Sequence, residues 1–374
     1  MNQIYHCYSS AAFGMEGLVS GELKECNMKN VKAENGGVYF DACGDEIFFC
    51  NLHMHFNDRI FVVLAENACT TFEELFQTVY GIDWKMFFSG TESIDISCKC
   101  TKSRLMSQRD CQSIAKKAII EKVKSQTKQS FFPESGDSLS VLITIRNDRL
   151  RVLLNTSGDA LSRRGYRTWN GEAPLRETLA SALVRLSGWK PGKPLHDPCC
   201  GTGTILIEAA FFASGRAPGL RRSFAMEKYK CFQHVDYDTA RNSAVQSFHA
   251  EGISGISGSD IDPEALKLAS RHVVQSGLDS SAITLSCQPL QELQLDPSAE
   301  GSFICNPPYG ERLSDQTHCR QLYGDLRKLK NRHPSWHMSV ISSDPAFERY
   351  FGKRADRKRR LYNGRLECVY YCYD

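Results

Sequence analysis

The sequence predicts an α/β protein in two parts: an N-terminal α+β half and a C-terminal doubly wound, mainly parallel sheet closed by an antiparallel hairpin. Three observations predict it. Short strands and helices in the first half end in two consecutive strands, the order of small α+β units. Apolar strands alternate with helices over residues 193–344, as in a parallel sheet covered on both faces. Asn363-Gly364 stands between two β-rich runs, a strong short-range hairpin signal.

Taken in order, strands are expected at 36–42, 59–66 and 93–100, with helices at 72–80 and 108–126. Strands at 138–147 and 149–157 follow, turning tightly at Asp148. Three glycines and a cluster of charge mark 158–172 as a linker. A helix near 176–188 then precedes "KPLHDPCCGTGTILIEAAFFA", which reads as strand, glycine turn and apolar helix. Residues 253–278 give a strand, an acidic pair and another helix, and 282–289, 303–310 and 336–344 give three more apolar strands. This second half is Rossmann-like.

At 374 residues the chain exceeds one ordinary core, so two or three domains are expected. Its 41% hydrophobic and 24% charged content is that of a globular protein. No run of ~18 apolar residues is present, which excludes a membrane-spanning helix. The first ten residues lack a basic and apolar leader pattern, and a cytoplasmic location is expected. None of the 16 cysteines is paired as Cys-x-x-Cys, and they read as reduced, small hydrophobic side chains. Cys50, His53 and His55 come nearest to a metal cluster but lack a fourth ligand, so no metal is expected. Basic runs at 115–128, 163–167 and 349–360 raise the odds of a polyanionic partner.

The chemistry-bearing stretches all fall at the carboxyl ends of strands, where open α/β sheets bind ligands. Asp197 ends the first strand, and Gly201 and Gly203 open a helix with free N–H groups. The third glycine of a dinucleotide fingerprint and the Lys-Ser/Thr of a phosphate loop are both missing, so the ligand is not a nucleotide phosphate. Asp260, the first acid past the second strand, suits a ribose diol, while Asp262 with Pro263 caps the next helix. After the fourth strand comes "NPPY". The side-chain carbonyl of Asn306 and the backbone carbonyl of Pro307 can together grip an exocyclic amine and aim its lone pair. Pro308 stiffens the corner, and Tyr309 offers a face on which an extruded base can stack.

"DPCCGTGT", "SDIDPEAL" and "NPPYGERL" resemble motifs of class I S-adenosylmethionine-dependent methyltransferases that act on amino nitrogens. With "LNTSGDALSRRGYR" and "EAPLRETLA", they resemble the THUMP-domain RNA methyltransferases, which include bacterial 23S rRNA guanine-N2 methyltransferases. Some members carry the label of adenine-N6 DNA methylase. The resemblance implies a ferredoxin-like lobe at 1–45 completed by flanking strands, a THUMP domain at 46–157, the linker, and a methyltransferase domain at 173–374. It implies that Asp197, Cys199, Gly201, Thr202, Gly203, Thr204 and Ile261 line the cofactor, with Asp260 at its ribose. Gln288 and Pro289 would lie at its adenine, and Pro174, Glu177 and Thr178 would cover it. Gln288 stands where the family presents an aspartate. Its amide oxygen can still accept a hydrogen bond, without charge. Contacts to RNA are expected from Lys102, Arg104, Lys116, Lys117, Arg163 and Arg164. The expected activity is methylation of a guanine N2 amine in 23S rRNA. Adenine-N6 methylation of DNA or RNA is the alternative enzyme, and an RNA-binding ribosome-assembly factor is the alternative outside catalysis.

Overall fold

The computed structural model describes residues 3–87, 92–127, 136–167, 175–296, 298–308 and 313–374. The N-terminal half runs β1 (Tyr5–Ser10), α1 (Glu16–Glu25), β2 (Lys29–Glu34), β3 (Gly37–Ala42), α2 (Gly44–His53), β4 (Arg59–Ala68) and α3 (Phe72–Tyr80). It continues with β5 (Ser93–Thr101), α4 (Gln108–Thr127), β6 (Ser138–Arg146) and β7 (Arg149–Asn155). All seven strands form one sheet in the order β2-β3-β1-β4-β7-β6-β5, antiparallel except for the β5–β6 pair.

β4 joins the two units of this half. Its beginning pairs with β1 and its remainder with β7. Residue 45, the expected end of the first lobe, falls inside α2, and β4 beyond it is a flanking strand that pairs with β1. The β6–β7 turn places Asn147 and Asp148 at φ +51° and +58°. Both are left-handed, as a two-residue hairpin matched to strand twist requires.

On β6 alternate residues Leu139, Val141, Ile143 and Ile145 are buried. They share a core with Ala115, Ala118, Ile119 and Val123 of α4, and each buried Leu, Ile or Val contributes about 1.5–3 kcal/mol. The intervening positions of the sheet face the other way, where Tyr8, Phe61 and Leu153 form a small separate cluster.

The C-terminal half runs α5 (Glu177–Ser187), β8 (Leu195–Asp197), α6 (Thr204–Ser214), α7 (Tyr237–Gln246), β9 (Ile256–Asp260), α8 (Pro263–Gln275) and β10 (Thr284–Cys287). Then come β11 (Ser302–Cys305), α9 (Leu313–Arg332), β12 (His337–Ser342), α10 (Phe347–Phe351), β13 (Arg357–Asn363) and β14 (Leu366–Tyr373). The strand order is β10-β9-β8-β11-β12-β14-β13, parallel through β12 and antiparallel in the closing hairpin. The hairpin turns on Gly364 and Arg365, with Asn363 already paired to Leu366. From β8 the chain builds outward to β10, then returns to lay β11 on the other side of β8. This reversal is the switch point at which such sheets bind ligands.

The described part of the expected linker is packed rather than loose, since Leu161, Arg164 and Tyr166 are all buried. Arg222, from the segment between α6 and α7, holds it in place. That guanidinium donates to the carbonyls of Ser157, Asp159, Ala160 and Arg163 at 2.6–3.1 Å. It is neither a solvated loop residue nor free to meet a ligand. The same segment is apolar mortar between the halves: Phe224 and Tyr237 pack edge-on to Phe48, and Phe232 against Tyr5. Tyr229 donates to the Asn155 carbonyl at 2.8 Å and accepts from the Ser140 amide at 3.2 Å.

Candidate active site

Three strand ends converge at the switch point. β8 delivers Asp197, β9 delivers Asp260, and β11 delivers Cys305 followed by Asn306. Burial pushes the Cys305 thiol well up; it hydrogen-bonds with Cys199 and lies within electrostatic reach of both aspartates.

The glycine loop after β8 needs its glycines. Gly201 and Gly203 adopt φ +50° and +80°, a region side chains disfavour. A Cβ on Gly203 would stand 3.2 Å from the Ala269 Cβ, so this residue lets the loop close onto α8. The space off Gly201 is open to 4 Å, leaving room for a ligand to approach the backbone. Thr202 lies between the two glycines, its carbonyl 3.3 Å from His272 Nδ1.

Asp260 fastens this loop to the neighbouring strand. Its Oδ2 accepts the Gly201 amide at 2.8 Å and its Oδ1 accepts the Asp262 amide at 3.0 Å. An ionised carboxylate has about four acceptor positions, so two remain for the hydroxyls of a ribose. Asp262 caps α8 as expected, accepting the Glu264 amide at 2.9 Å ahead of Pro263. The next side chain after Asp260, Ile261, is 73% exposed, an apolar surface suited to a flat ring. Gln288 sits beside them: its amide N–H reaches the Asp260 carbonyl at 3.1 Å and its Nε2 donates to Ser286 Oγ at 2.9 Å. Pro289 then leads into a short turn at 290–292.

Asp197 is fully enclosed. Burial pushes its carboxyl up to about 8, opposed by the Cys199 amide at 3.1 Å and reinforced by the charge of Asp260. Asn306 is half-buried, Pro307 buried and Pro308 exposed, so the corner presents a polar rim above an apolar strand. Tyr309 and Pro174 lie outside the described residues.

Glu177 and Thr178 are buried in the first turn of α5, where Glu177 meets Arg167 at 3.5 Å. Burial raises the Glu177 carboxyl and Arg167 opposes the rise. Arg167 also donates to the Leu175 carbonyl at 3.2 Å and to Thr204 Oγ1 at 2.5 Å, tying the start of α5 to the start of α6.

A second group behind the loop is absent from the sequence expectation. Glu208 of α6 is fully buried and receives Tyr166, Ser181 and Arg164. A single acid in "TILIEAAFF" was the available signal, because a buried carboxylate requires a buried partner. Arg164 is that partner, and this corrects its expected role in RNA binding. Its guanidinium is 2% exposed and donates to the carbonyls of Met54, His55 and Leu161 as well as approaching Glu208.

The other basic residues divide between two faces. Arg163 is exposed and lines a cleft of about 1520 Å³ on the open face of the N-terminal sheet, together with Tyr8, Phe61, Lys99, Arg151 and Arg221. There Arg151 pairs with Glu34 at 2.7 Å and lies 4.7 Å over the Tyr8 ring. Lys116 and Lys117 are on α4, which covers the opposite face, with Lys117 3.8 Å from Glu121. Lys102 and Arg104 are exposed just beyond the end of β5.

A family model described as the RMKL-like methyltransferase domain matches residues 164–372. Models of the RlmL ferredoxin-like domain and of the THUMP domain match residues 6–61 and 69–155. Over 99% of its length the chain is 34% identical to "Putative RNA methyltransferase YpsC" of Bacillus subtilis (strain 168), covering 96% of that protein. It is 32% identical over 99% of its length to the ribosomal RNA large subunit methyltransferase K/L of Shewanella frigidimarina (strain NCIMB 400), but spans only 53% of that longer protein. Among solved structures it is similar to SMU.472 complexed with S-adenosylhomocysteine, at 35% identity and TM-score 0.92, covering 100% of this chain and 98% of that one. A Listeria monocytogenes structure described as a predicted N6-adenine-specific DNA methylase matches at 34% identity and TM-score 0.93, covering 100% and 96%. These likenesses establish that the chain belongs to the RMKL-like methyltransferase family and is an S-adenosylmethionine-dependent methyltransferase with ferredoxin-like and THUMP domains.

Proposed function

We propose that this chain methylates an exocyclic amine of a base in structured RNA, specifically the N2 amine of a guanine in 23S ribosomal RNA, in the cytoplasm. The observation that carries the reading is Asn306-Pro307-Pro308 at the carboxyl end of β11, on the same switch point as Asp197 and Asp260. The names of the K/L relatives support ribosomal RNA as the substrate.

S-adenosylmethionine, when bound, supplies an electrophilic methyl carbon. Asp260 would hold the ribose hydroxyls, with Ile261 beside the adenine. The Asn306 and Pro307 carbonyls would accept the two amine hydrogens and turn the nitrogen lone pair toward that carbon. Because the nitrogen would shed its proton only after alkylation, these residues would need only to hold and aim the amine. No strong base is required, and positioning of this kind supplies ~7–11 kcal/mol of barrier reduction. Reaching the corner requires the base to leave its stack, and Tyr309 would receive it, contributing ~1–3 kcal/mol. The RNA would run along the cleft lined by Arg163 and Arg221.

The test is nucleoside mass spectrometry after incubating the protein and S-adenosylmethionine with unmodified ribosomal RNA, tRNA and duplex DNA. N2-methylguanosine confined to the large-subunit RNA is expected. N6-methyladenine in DNA would overturn the reading.

A further inference from the structure

We propose that Cys98, Cys100 and Cys111 form a thiolate site for a thiophilic divalent cation, zinc first, which pins α4 to the edge strand β5. From the sequence no metal is expected, since Cys50, His53 and His55 lack a fourth ligand and no Cys-x-x-Cys pair draws the other cysteines together. The fold supplies what the spacing conceals. Residues of a strand alternate between its faces, so Cys98 and Cys100 point to one side while Ser97 and Lys99 line the cleft on the other. On the α4 side they meet Cys111, in the helix's first turn.

The three sulfurs are spaced for one ion. Cys98 Sγ lies 3.7 Å from Cys100 Sγ, Cys100 Sγ lies 4.0 Å from Cys111 Sγ, and all three lie within 4.8 Å of one another. Thiolates bound at ~2.3 Å to a tetrahedral zinc stand about 3.8 Å apart. Cys98 and Cys111 are buried, and the thiol of Cys100 hydrogen-bonds with both. Burial pushes the Cys98 and Cys111 thiols up, each with the neighbouring sulfurs adding to the rise. Ion binding exchanges three thiol protons for one divalent cation, with no change of oxidation state. Cys69, buried just past β4 with its thiol 3.6 Å from the Thr71 carbonyl, is near enough for its charge to act on both Cys100 and Cys111. Among the described residues no other group of three such side chains is drawn together.

The consequence is local. α4 carries Lys116 and Lys117, and a metal bridge would fix that basic helix on its strand without engaging the switch point 40 residues and more downstream of β7.

The test uses the full chain purified under reducing conditions. Zinc is counted per chain by plasma mass spectrometry, then removed by chelation, and the apo protein is titrated with Co²⁺. Expected are one ion per chain and a sulfur-to-cobalt charge-transfer band that zinc abolishes. Cys100→Ser, at the least buried of the three, and Cys111→Ser should each lose the band and weaken ion binding at least tenfold. Cys287→Ser, an exposed cysteine elsewhere, should keep both. S-adenosylhomocysteine binding monitors the fold of every variant. Absence of the band in the parent chain, its survival in both cluster variants, or a Cys100–Cys111 disulfide under these conditions would overturn the proposal.

Discussion

Arg164 and Glu208 meet in the interior at 3.4 Å, with side chains 2% and 0% exposed, although 44 residues separate them. The pair joins the loop entering the catalytic domain to the helix that follows the glycine turn. Breaking one side strands a buried charge, at about 3–5 kcal/mol. Arg164→Met or Glu208→Gln should each lower the urea midpoint sharply. The double variant should lose less than the sum of the two, and strict additivity in that cycle would show the pair to be uncoupled.

The enclosed carboxyl of Asp197 makes stability depend on pH in a defined direction. Its folded value, about 8, exceeds the unfolded value of ~3.9. The native state therefore holds a proton that the unfolded chain has released between these limits, and the contribution to stability falls as pH rises from about 4 to about 8. Denaturation of the parent and of Asp197→Asn across that range should show the parent losing ground with rising pH and the difference levelling above pH 8. A constant difference would mean the buried carboxyl is already ionised.

Two acids two residues apart should behave differently. Asp260→Ala removes a charged acceptor from both the loop and the proposed ribose contact, where such hydrogen bonds are worth ~1.5–3 kcal/mol. Calorimetry should find S-adenosylhomocysteine bound about 10- to 100-fold more weakly. Asp262→Ala removes a helix cap and should cost about 1 kcal/mol of stability with cofactor affinity kept.

At the amine corner, Asn306→Ala should abolish methyl transfer while leaving cofactor binding within a few-fold. Normal turnover by this variant would assign amine positioning to other groups.

Arg163 and Arg222 separate RNA contact from architecture. Arg163→Ala should flatten the logarithmic salt dependence of RNA binding by ~0.7–0.9, one phosphate's share, without changing stability. Arg222→Ala should destabilise the fold, because four backbone carbonyls lose their donor. Equal salt slopes for the parent and Arg163→Ala would remove the cleft from the RNA path.

What could be read from sequence follows local rules. The glycine turn, the Asp262 cap, the tight turn at Asp148 and the strand before Asn306 are each decided by a few adjacent residues. β2 escaped because it is a short edge strand with no buried residue. Arg163 and Arg164 are identical neighbours in a loop without periodicity, and only the fold decides that one faces water and the other Glu208. The single N-terminal sheet depends on β4 pairing with β1 and with β7, about 90 residues later, and no local pattern encodes that. The aromatic residues of 224–237 carry no local pattern because their partners, Tyr5 and Phe48, lie far away in the chain.

One continuous apolar interior links Tyr5 in the first strand to Cys372 in the last, with the 224–237 aromatics wedged between the halves. Under the proposed reading, this makes the molecule a caliper. The span between the sheet-face cleft and Asn306 is set by packing, so a folded RNA is tested by whether it can touch both jaws at once. A short strand carrying the right letters reaches only one jaw, and the nucleotides flanking the target matter less than the distance and angle at which the rest of the RNA presents it.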